Sequence, residues 1–85
     1  MYYAEFTVGG LDANQVEGIF YEWLNEDVSE NLLEDWGFGK RDGVGSFSEC
    51  FVEFKDSGVS SAIYFEILLT RYVLEGANVD VTQEY

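Results

Sequence analysis

The carboxylates of residues 21–36 are the part of this chain whose spacing most directly implies a chemistry. The segment YEWLNEDVSENLLEDW holds six Asp and Glu residues and no lysine, arginine or histidine. Carboxylates serve as general acids and bases, as ligands of hard metal ions and as partners of basic groups. The absence of histidine, the regular spacing of the acids and the net charge of the chain decide between these roles.

Catalytic and metal-binding roles find little support in the sequence. The chain has no histidine, which excludes Ser-His and Cys-His nucleophile pairs and histidine metal ligands. Neither NEDVSENLLED nor FKDSG reproduces a calcium loop with its central glycine and distal glutamate. Cys50 has no histidine or nearby cation to lower the pKa of its thiol, so it is predicted to be a core residue. We therefore expect no enzyme, no metal and no cofactor.

The spacing of the acids instead favours the binding of a basic partner. Four glutamates recur every fourth residue, so on one continuous helix they would form a row with steps of about 6 Å. Repulsion between successive pairs costs about 1 kcal/mol in total, and no local lysine relieves it. The alternative is a solvated acidic face around a buried Trp23 and Leu24. The candidate partner-binding residues are Glu22, Glu26, Asp27, Glu30, Glu34 and Asp35.

The net charge of the whole chain points to the same class of partner. Seventeen acidic residues against four basic ones give a formal charge of −13. Such a charge repels nucleic acid and anionic membranes and attracts basic protein surfaces. The alternative is that the acidity only provides solubility or reflects a salt-loving host. No signal-type N-terminus or apolar run of membrane-spanning length occurs, so we expect a cytoplasmic protein without membrane contact.

The first half of the chain predicts a strand followed by a helix. Residues 2–8 alternate apolar and polar side chains, as a half-buried strand does. Asp12 and Gln15 form a capping-box pattern, and apolar residues then recur at helical spacing up to Leu24. The end of this helix stays open, because the apolar period continues to Leu33 while Ser29 could cap a second short helix.

The second half predicts a hairpin, a helix or strand, and an edge strand. A short strand and a longer one, 46–54, are expected on either side of a tight turn at Asp42 and Gly43. Residues 59–74 fit a helix better than a strand, with a core face of Ala62, Ile63, Ile67, Thr70 and Leu74 and a C-terminal cap at Gly76. Residues 77–85 alternate as an edge strand does. The order β-α-β-β-α-β predicts a single α+β domain over 1–85, a ferredoxin-like sandwich with one antiparallel sheet backed by two helices.

The sheet surface opposite the helices is a second candidate site. It is predicted to combine aromatic and acidic side chains, which suits a protein partner better than RNA because flanking lysine and arginine are missing. Burial in a homodimer or under the C-terminal tail is the alternative. The predicted residues are Tyr3, Glu5, Phe47, Glu49, Phe51 and Glu53.

In size, charge, lack of histidine and the run EWLNEDVSENLLEDW, the chain resembles the acidic inhibitors made by bacteriophages and mobile elements. These include restriction inhibitors, anti-CRISPR proteins and a uracil-glycosylase inhibitor, several of which present carboxylates in place of DNA phosphates. The resemblance is one of composition and implies no residue roles. It implies an inhibitor that binds the nucleic-acid-binding surface of a host defence or repair protein in the host cytoplasm. The alternative function is a structural or assembly protein that forms a homo-oligomer through the aromatic sheet face.

Overall fold

The computed structural model describes residues 1–41 and 47–85, which form four strands and two long helices in the predicted order. The elements are β1 (Tyr2–Gly9), α1 (Ala13–Glu26), a 3-10 turn (Glu30–Leu32), β2 (Leu33–Arg41), β3 (Phe47–Phe54), α2 (Val59–Leu74) and β4 (Asn78–Glu84). Every strand pairing is antiparallel, and the strands lie in the order β2-β3-β1-β4. This arrangement is the ferredoxin-like α+β sandwich, so the predicted fold class is confirmed.

Strands β1 and β3 lie at the centre of the sheet and each has one buried face. Ala4, Phe6 and Val8 alternate with more exposed residues along β1, and Val52 and Phe54 do the same along β3. Because side chains alternate across a strand, this places the remaining residues of both strands on the opposite face. The helices cover the apolar face, and the other face stays open to solvent.

Helix α1 begins where the capping pattern predicted. The Asp12 carboxylate accepts a hydrogen bond from the backbone N–H of Gln15 at 2.8 Å, and the Gln15 side chain accepts one from the Asp12 N–H at 3.0 Å. Val16, Phe20 and Trp23 lie on its buried face, and the Trp23 indole N–H donates to the Tyr64 carbonyl of α2 at 2.8 Å. Both helices are thereby joined inside the core.

The end of α1 differs from the continuous helix that the acidic row requires. The helix stops at Glu26, and the N–H groups of Asp27 and Val28 both donate to the Trp23 carbonyl. The buried Val28 side chain turns the chain into the core. Ser29 then caps the 3-10 turn, as its sequence position allowed. The prediction of one ladder of glutamates on a helix is therefore wrong.

Strand β2 is longer than the short strand expected and begins earlier. Trp36 and Gly37, which follow the acidic residues in the sequence, lie inside it. Trp36 and Phe38 point toward α1, where their ring centroids lie 6.1 and 4.9 Å from that of Phe20. The register shifts between Leu33 and the rest of the strand. The predicted tight turn at Asp42 and Gly43 lies outside the described residues.

Residues 59–74 form a helix, the structure that the sequence favoured over a strand. The buried side of this helix is not the predicted one. Phe65, Leu68 and Tyr72 are buried, and the Tyr72 hydroxyl donates to the Val16 carbonyl at 2.9 Å. The predicted core residues Ile63 and Leu74 are instead 53% and 80% exposed.

The remaining members of the predicted face, Ala62, Ile67 and Thr70, lie with Ile63 on the outer side of α2 as well. Both sides of α2 are apolar, so helical spacing did not distinguish them. Gly76 follows the helix with φ of +86°, a conformation that suits glycine, and ends it as predicted.

Candidate protein-binding surface

The six acidic residues predicted to form one row are divided between two regions of the fold. Glu22, Glu26 and Asp27 lie at the end of α1 beside Arg71 of α2. Arg71 contacts Glu22 Oε2 at 3.4 Å through Nη1 and Glu26 Oε2 at 3.2 Å through Nη2, and its Nε donates to Asp27. The hydrogen bond to Asp27 raises the pKa of Arg71. This acidic group is thus partly neutralised and holds the two helices together.

The other three candidates lie beyond α1, where they do not continue the helical row. Glu30 is in the 3-10 turn, and Glu34 and Asp35 are in the first residues of β2. All three side chains are exposed. Asp35 pairs in register with Glu53 of β3, so its carboxylate extends the acidic surface of the sheet.

The predicted sheet-face residues do come together on the open face. In register across the sheet, Tyr3 lies opposite Glu53, Glu5 opposite Phe51, and Gly9 opposite Phe47. We use the name open face for this surface throughout. Among the described residues, its side chains include those of Tyr3, Glu5, Thr7, Asp35, Phe47, Glu49, Phe51, Glu53, Asp80, Gln83 and Tyr85.

A row of aromatic rings crosses the open face. The ring of Tyr3 stacks on Phe51, with centroids 6.1 Å apart, and on Tyr85, with centroids 5.3 Å apart. Tyr85 reaches this position because its backbone exchanges both hydrogen bonds with Tyr3. The Tyr3 hydroxyl donates to Glu5 Oε1 at 2.7 Å, and this hydrogen bond raises the pKa of Tyr3 to about 12. The phenol is therefore neutral at physiological pH and fixes the Glu5 carboxylate.

A hollow lies beside the aromatic row because two residues of β2 lack side chains. Gly37 and Gly39 pair in register with Phe51 and Glu49. The ring of Phe51 covers Gly37, whereas the space above Gly39 is open. A β-carbon on Gly37 would lie 2.5 Å from Cε1 of Phe51, so the ring lies directly against this glycine. We name this space the glycine hollow. It has a volume of about 570 Å³, and its lining includes Glu5, Thr7, Gly37, Gly39, Glu49, Phe51 and Thr82.

Gly37, Gly39, Thr82 and Tyr85 line the glycine hollow or the open face but were not among the residues predicted from the sequence. A short strand was expected before the turn at Asp42 and Gly43, but the alternation of Trp36, Gly37, Phe38 and Gly39, which leaves one face of that strand bare, was not used. That alternation is the signal that would have found the hollow. Thr82 and Tyr85 reach the face through a register irregularity in β4, which no local pattern indicates.

Cys50 lies behind the open face and is not available for chemistry. It is 4% exposed, and burial raises the pKa of its thiol to about 12. The thiol is therefore protonated at physiological pH, which agrees with a core role.

None of the helices in ranges 1–41 and 47–85 is long and apolar enough to cross a bilayer. Within the same ranges, no group of three or more acidic or cysteine side chains converges as metal ligands would.

Comparisons with known proteins give a distant similarity to a solved structure. No family model and no curated protein matches the chain. The crystal structure of a dimeric ferredoxin-like protein from an uncultured marine organism is similar over 100% of this chain and 91% of its own, with 14% identity and a TM-score of 0.49. Its dimeric state is a property of that protein.

Proposed function

We propose that this protein is an acidic binding module that covers a basic surface of another protein, and that this surface is one that ordinarily holds nucleic acid. The observation that supports the proposal is the open face, where carboxylates surround a stacked row of aromatic rings. On the helical side, Glu22, Glu26 and Asp27 share the guanidinium of Arg71. The open face is the surface whose chemistry best complements a basic partner.

The arrangement of carboxylates on the open face suits a surface built for phosphates. Asp35 and Glu53 lie on neighbouring strands, about 4.8 Å apart, and Glu49 and Glu53 lie about 13 Å apart along one strand. Lysine and arginine side chains that hold a nucleic-acid backbone are distributed over similar distances, because successive phosphates along one strand of a duplex advance about 3.4 Å. Several of them could therefore bind carboxylates of this face together.

In this proposal the protein acts as a competitor and performs no reaction. Aromatic rings at the centre of a protein interface contribute much of its binding energy, and surrounding charges contribute specificity and association rate. The aromatic row would supply the binding energy, and the carboxylates would supply the specificity and the association rate. The protein would thus inhibit a host defence or repair protein in the cytoplasm, in the manner of the phage inhibitors that it resembles in composition.

The test is capture of a partner followed by competition. Immobilised protein is incubated with a bacterial lysate at low and high salt, and captured proteins are identified. We expect a nucleic-acid-binding protein that high salt releases, because screening weakens contacts between exposed charges. Purified partner should then lose its nucleic acid when this protein is added. Capture of no such protein, or binding that leaves its nucleic acid in place, contradicts the proposal.

Three double variants with equal charge then locate the binding surface. Asp35→Lys with Glu53→Lys changes the open face, Glu30→Lys with Glu34→Lys changes the turn and edge strand, and a third pair changes a remote surface. The remote pair is Glu17→Lys with Glu75→Lys, both exposed. Each moves the net charge from −13 to −9, so long-range attraction falls equally. We expect the first pair to weaken binding most; equal weakening by all three would leave only a diffuse acidic field.

A homo-oligomer formed through the open face is the second candidate function, and its aromatic side chains favour it. Phe47, Phe51 and Tyr3 are only half-buried, as residues of an interface are before association. Two copies packed by this face would bring the carboxylates of Glu5, Glu53 and their neighbours together, which opposes association at low salt. Light scattering at micromolar concentration tests the homo-oligomer. A mass above that of the monomer for the wild type, together with a monomeric Phe47→Ser, Phe51→Ser variant, supports it. A wild type that is monomeric at all concentrations excludes it.

A further inference from the structure

The glycine hollow has features that a general acidic surface does not require. The bare backbone of Gly39 lies in its floor, and the ring of Phe51, which covers Gly37, forms one wall. A sheet that only had to be acidic and soluble could carry side chains at both glycine positions. The hollow thus makes an aromatic ring and part of the backbone accessible to a ligand group.

The carboxylate of Glu5 on the opposite wall is held in one orientation. Tyr3 donates to its Oε1 at 2.7 Å, which leaves Oε2 and the second lone pairs for another donor. The Thr82 hydroxyl donates to the Glu5 carbonyl at 3.1 Å and fixes the backbone of the same residue. An acceptor with so little freedom loses little entropy when it binds a ligand.

An aromatic ring beside a fixed carboxylate distinguishes between the two kinds of basic side chain. A guanidinium is planar, so it can stack on a ring while its edge donates two parallel hydrogen bonds to a carboxylate. An ammonium group is compact and strongly hydrated, and it gains less from a ring face. A hollow of about 570 Å³ has room for an arginine side chain with part of its backbone.

We infer that the glycine hollow binds a guanidinium group, the side chain of an arginine that the basic partner presents to the open face. The arginine lies against Phe51 and donates to the Glu5 carboxylate. This inference rests on the proposed function and names the partner residue that the open face selects.

Two peptides of equal length and charge test the inference without knowledge of the partner. One alternates glycine with arginine and the other alternates glycine with lysine, and binding is measured by titration calorimetry at physiological ionic strength. We expect the arginine peptide to bind the wild-type protein about fivefold more tightly. Equal affinity for the two peptides overturns the inference, although the proposed function survives if open-face charge variants weaken both. A failure of both peptides to bind overturns the inference and counts against the proposed function too.

Three single variants with matched controls locate the preference. Phe51→Leu removes the aromatic wall, Glu5→Gln removes the charge, and Gly37→Ala displaces the ring with a β-carbon 2.5 Å from it. Each should reduce the arginine preference to about one, with thermal melts confirming a folded protein. The controls are Gly58→Ala, whose β-carbon meets nothing within 4 Å, and Glu17→Gln on an exposed turn of α1. The controls should retain the preference; a preference that survives both Phe51→Leu and Gly37→Ala overturns the inference.

Discussion

Single residues determine how the carboxylates of this acidic chain are arranged on its two sides. Arg71 draws Glu22, Glu26 and Asp27 into one cluster on the helical side. On the other side of the sheet, the missing side chain of Gly37 allows Phe51 to lie against the backbone. One arginine and one glycine therefore separate the acidic surface into a part that stabilises the fold and the open face, for which we propose binding.

Charge reversal at Glu26 and at Glu30 should have different effects on stability. Glu26→Lys removes an ion pair and places a cation beside Arg71, so the free energy of unfolding should fall by up to about 1 kcal/mol. Glu30→Lys, in the 3-10 turn, should change it by less than about 0.5 kcal/mol. Urea denaturation measures both. Equal effects would show that Arg71 does not hold Glu26 in solution.

Cys50 should make stability fall in alkaline solution. The thiol titrates near 9 when unfolded and near 12 in the folded protein, so its contribution is complete below pH 9 and is lost between pH 9 and 12. We expect the wild type to lose up to about 1.4 kcal/mol per pH unit more than Cys50→Ala in this window.

Urea denaturation from about pH 8 to about pH 11 checks the Cys50 prediction. Burial raises the pKa of Tyr72 in both proteins, and the charge of Cys50 raises it further in the wild type, which adds to the fall expected of the wild type. If the free energy of unfolding fell equally with pH in the wild type and in Cys50→Ala, the prediction would be contradicted.

At the scale of elements, the end of α1 and the orientation of α2 determine the shape of the domain. Val28 is buried and ends the helix by turning the chain toward β2, which separates the acidic residues that follow. Helix α2 packs through Phe65, Leu68 and Tyr72 and leaves its other apolar side in solvent.

Alanine substitutions on the two sides of α2 test this orientation. Phe65→Ala removes a buried ring and should lower the free energy of unfolding by about 3–5 kcal/mol. Ile63→Ala, at a position 53% exposed, should lower it by less than about 1 kcal/mol. Guanidinium or urea denaturation of both variants gives the values. If Ile63→Ala lowered the free energy of unfolding more than Phe65→Ala, the opposite side of α2 would be the buried one.

For the whole molecule, the net charge of −13 acts at low salt over distances comparable to the size of the protein. The radius of gyration is 12.1 Å, whereas the Debye length is about 30 Å at 0.01 M salt and about 8 Å at 0.15 M. At low salt every carboxylate therefore repels all the others, and at physiological salt only near neighbours do.

The melting temperature should consequently rise with salt. Between low and physiological ionic strength we expect an increase of about 5 °C, which corresponds to about 1 kcal/mol for a domain of this size. Differential scanning calorimetry in sodium and potassium chloride measures it, and agreement between the two salts excludes a specific ion. The Glu17→Lys, Glu75→Lys variant should show a smaller rise. A melting temperature independent of salt would contradict a repulsive whole-molecule charge.

The sequence alone determined the elements whose signals are local. The capping pair of Asp12 and Gln15 set the start of α1, and alternation set β1 and the two faces of β3, because caps and side-chain period involve only near neighbours. Element order then limited the fold to one class. What remained depended on contacts between distant residues.

Only the tertiary structure decided where α1 ends, which side of α2 is buried and where the hollow lies. Each outcome required a partner far along the chain: the core around Val28, the Val16 carbonyl that receives Tyr72, and the ring of Phe51 above Gly37. A helix with two apolar sides has the same period whichever side is buried, so packing makes the choice. Likewise, the role of a glycine in a strand becomes clear only when the residue that packs against it from the neighbouring strand is known.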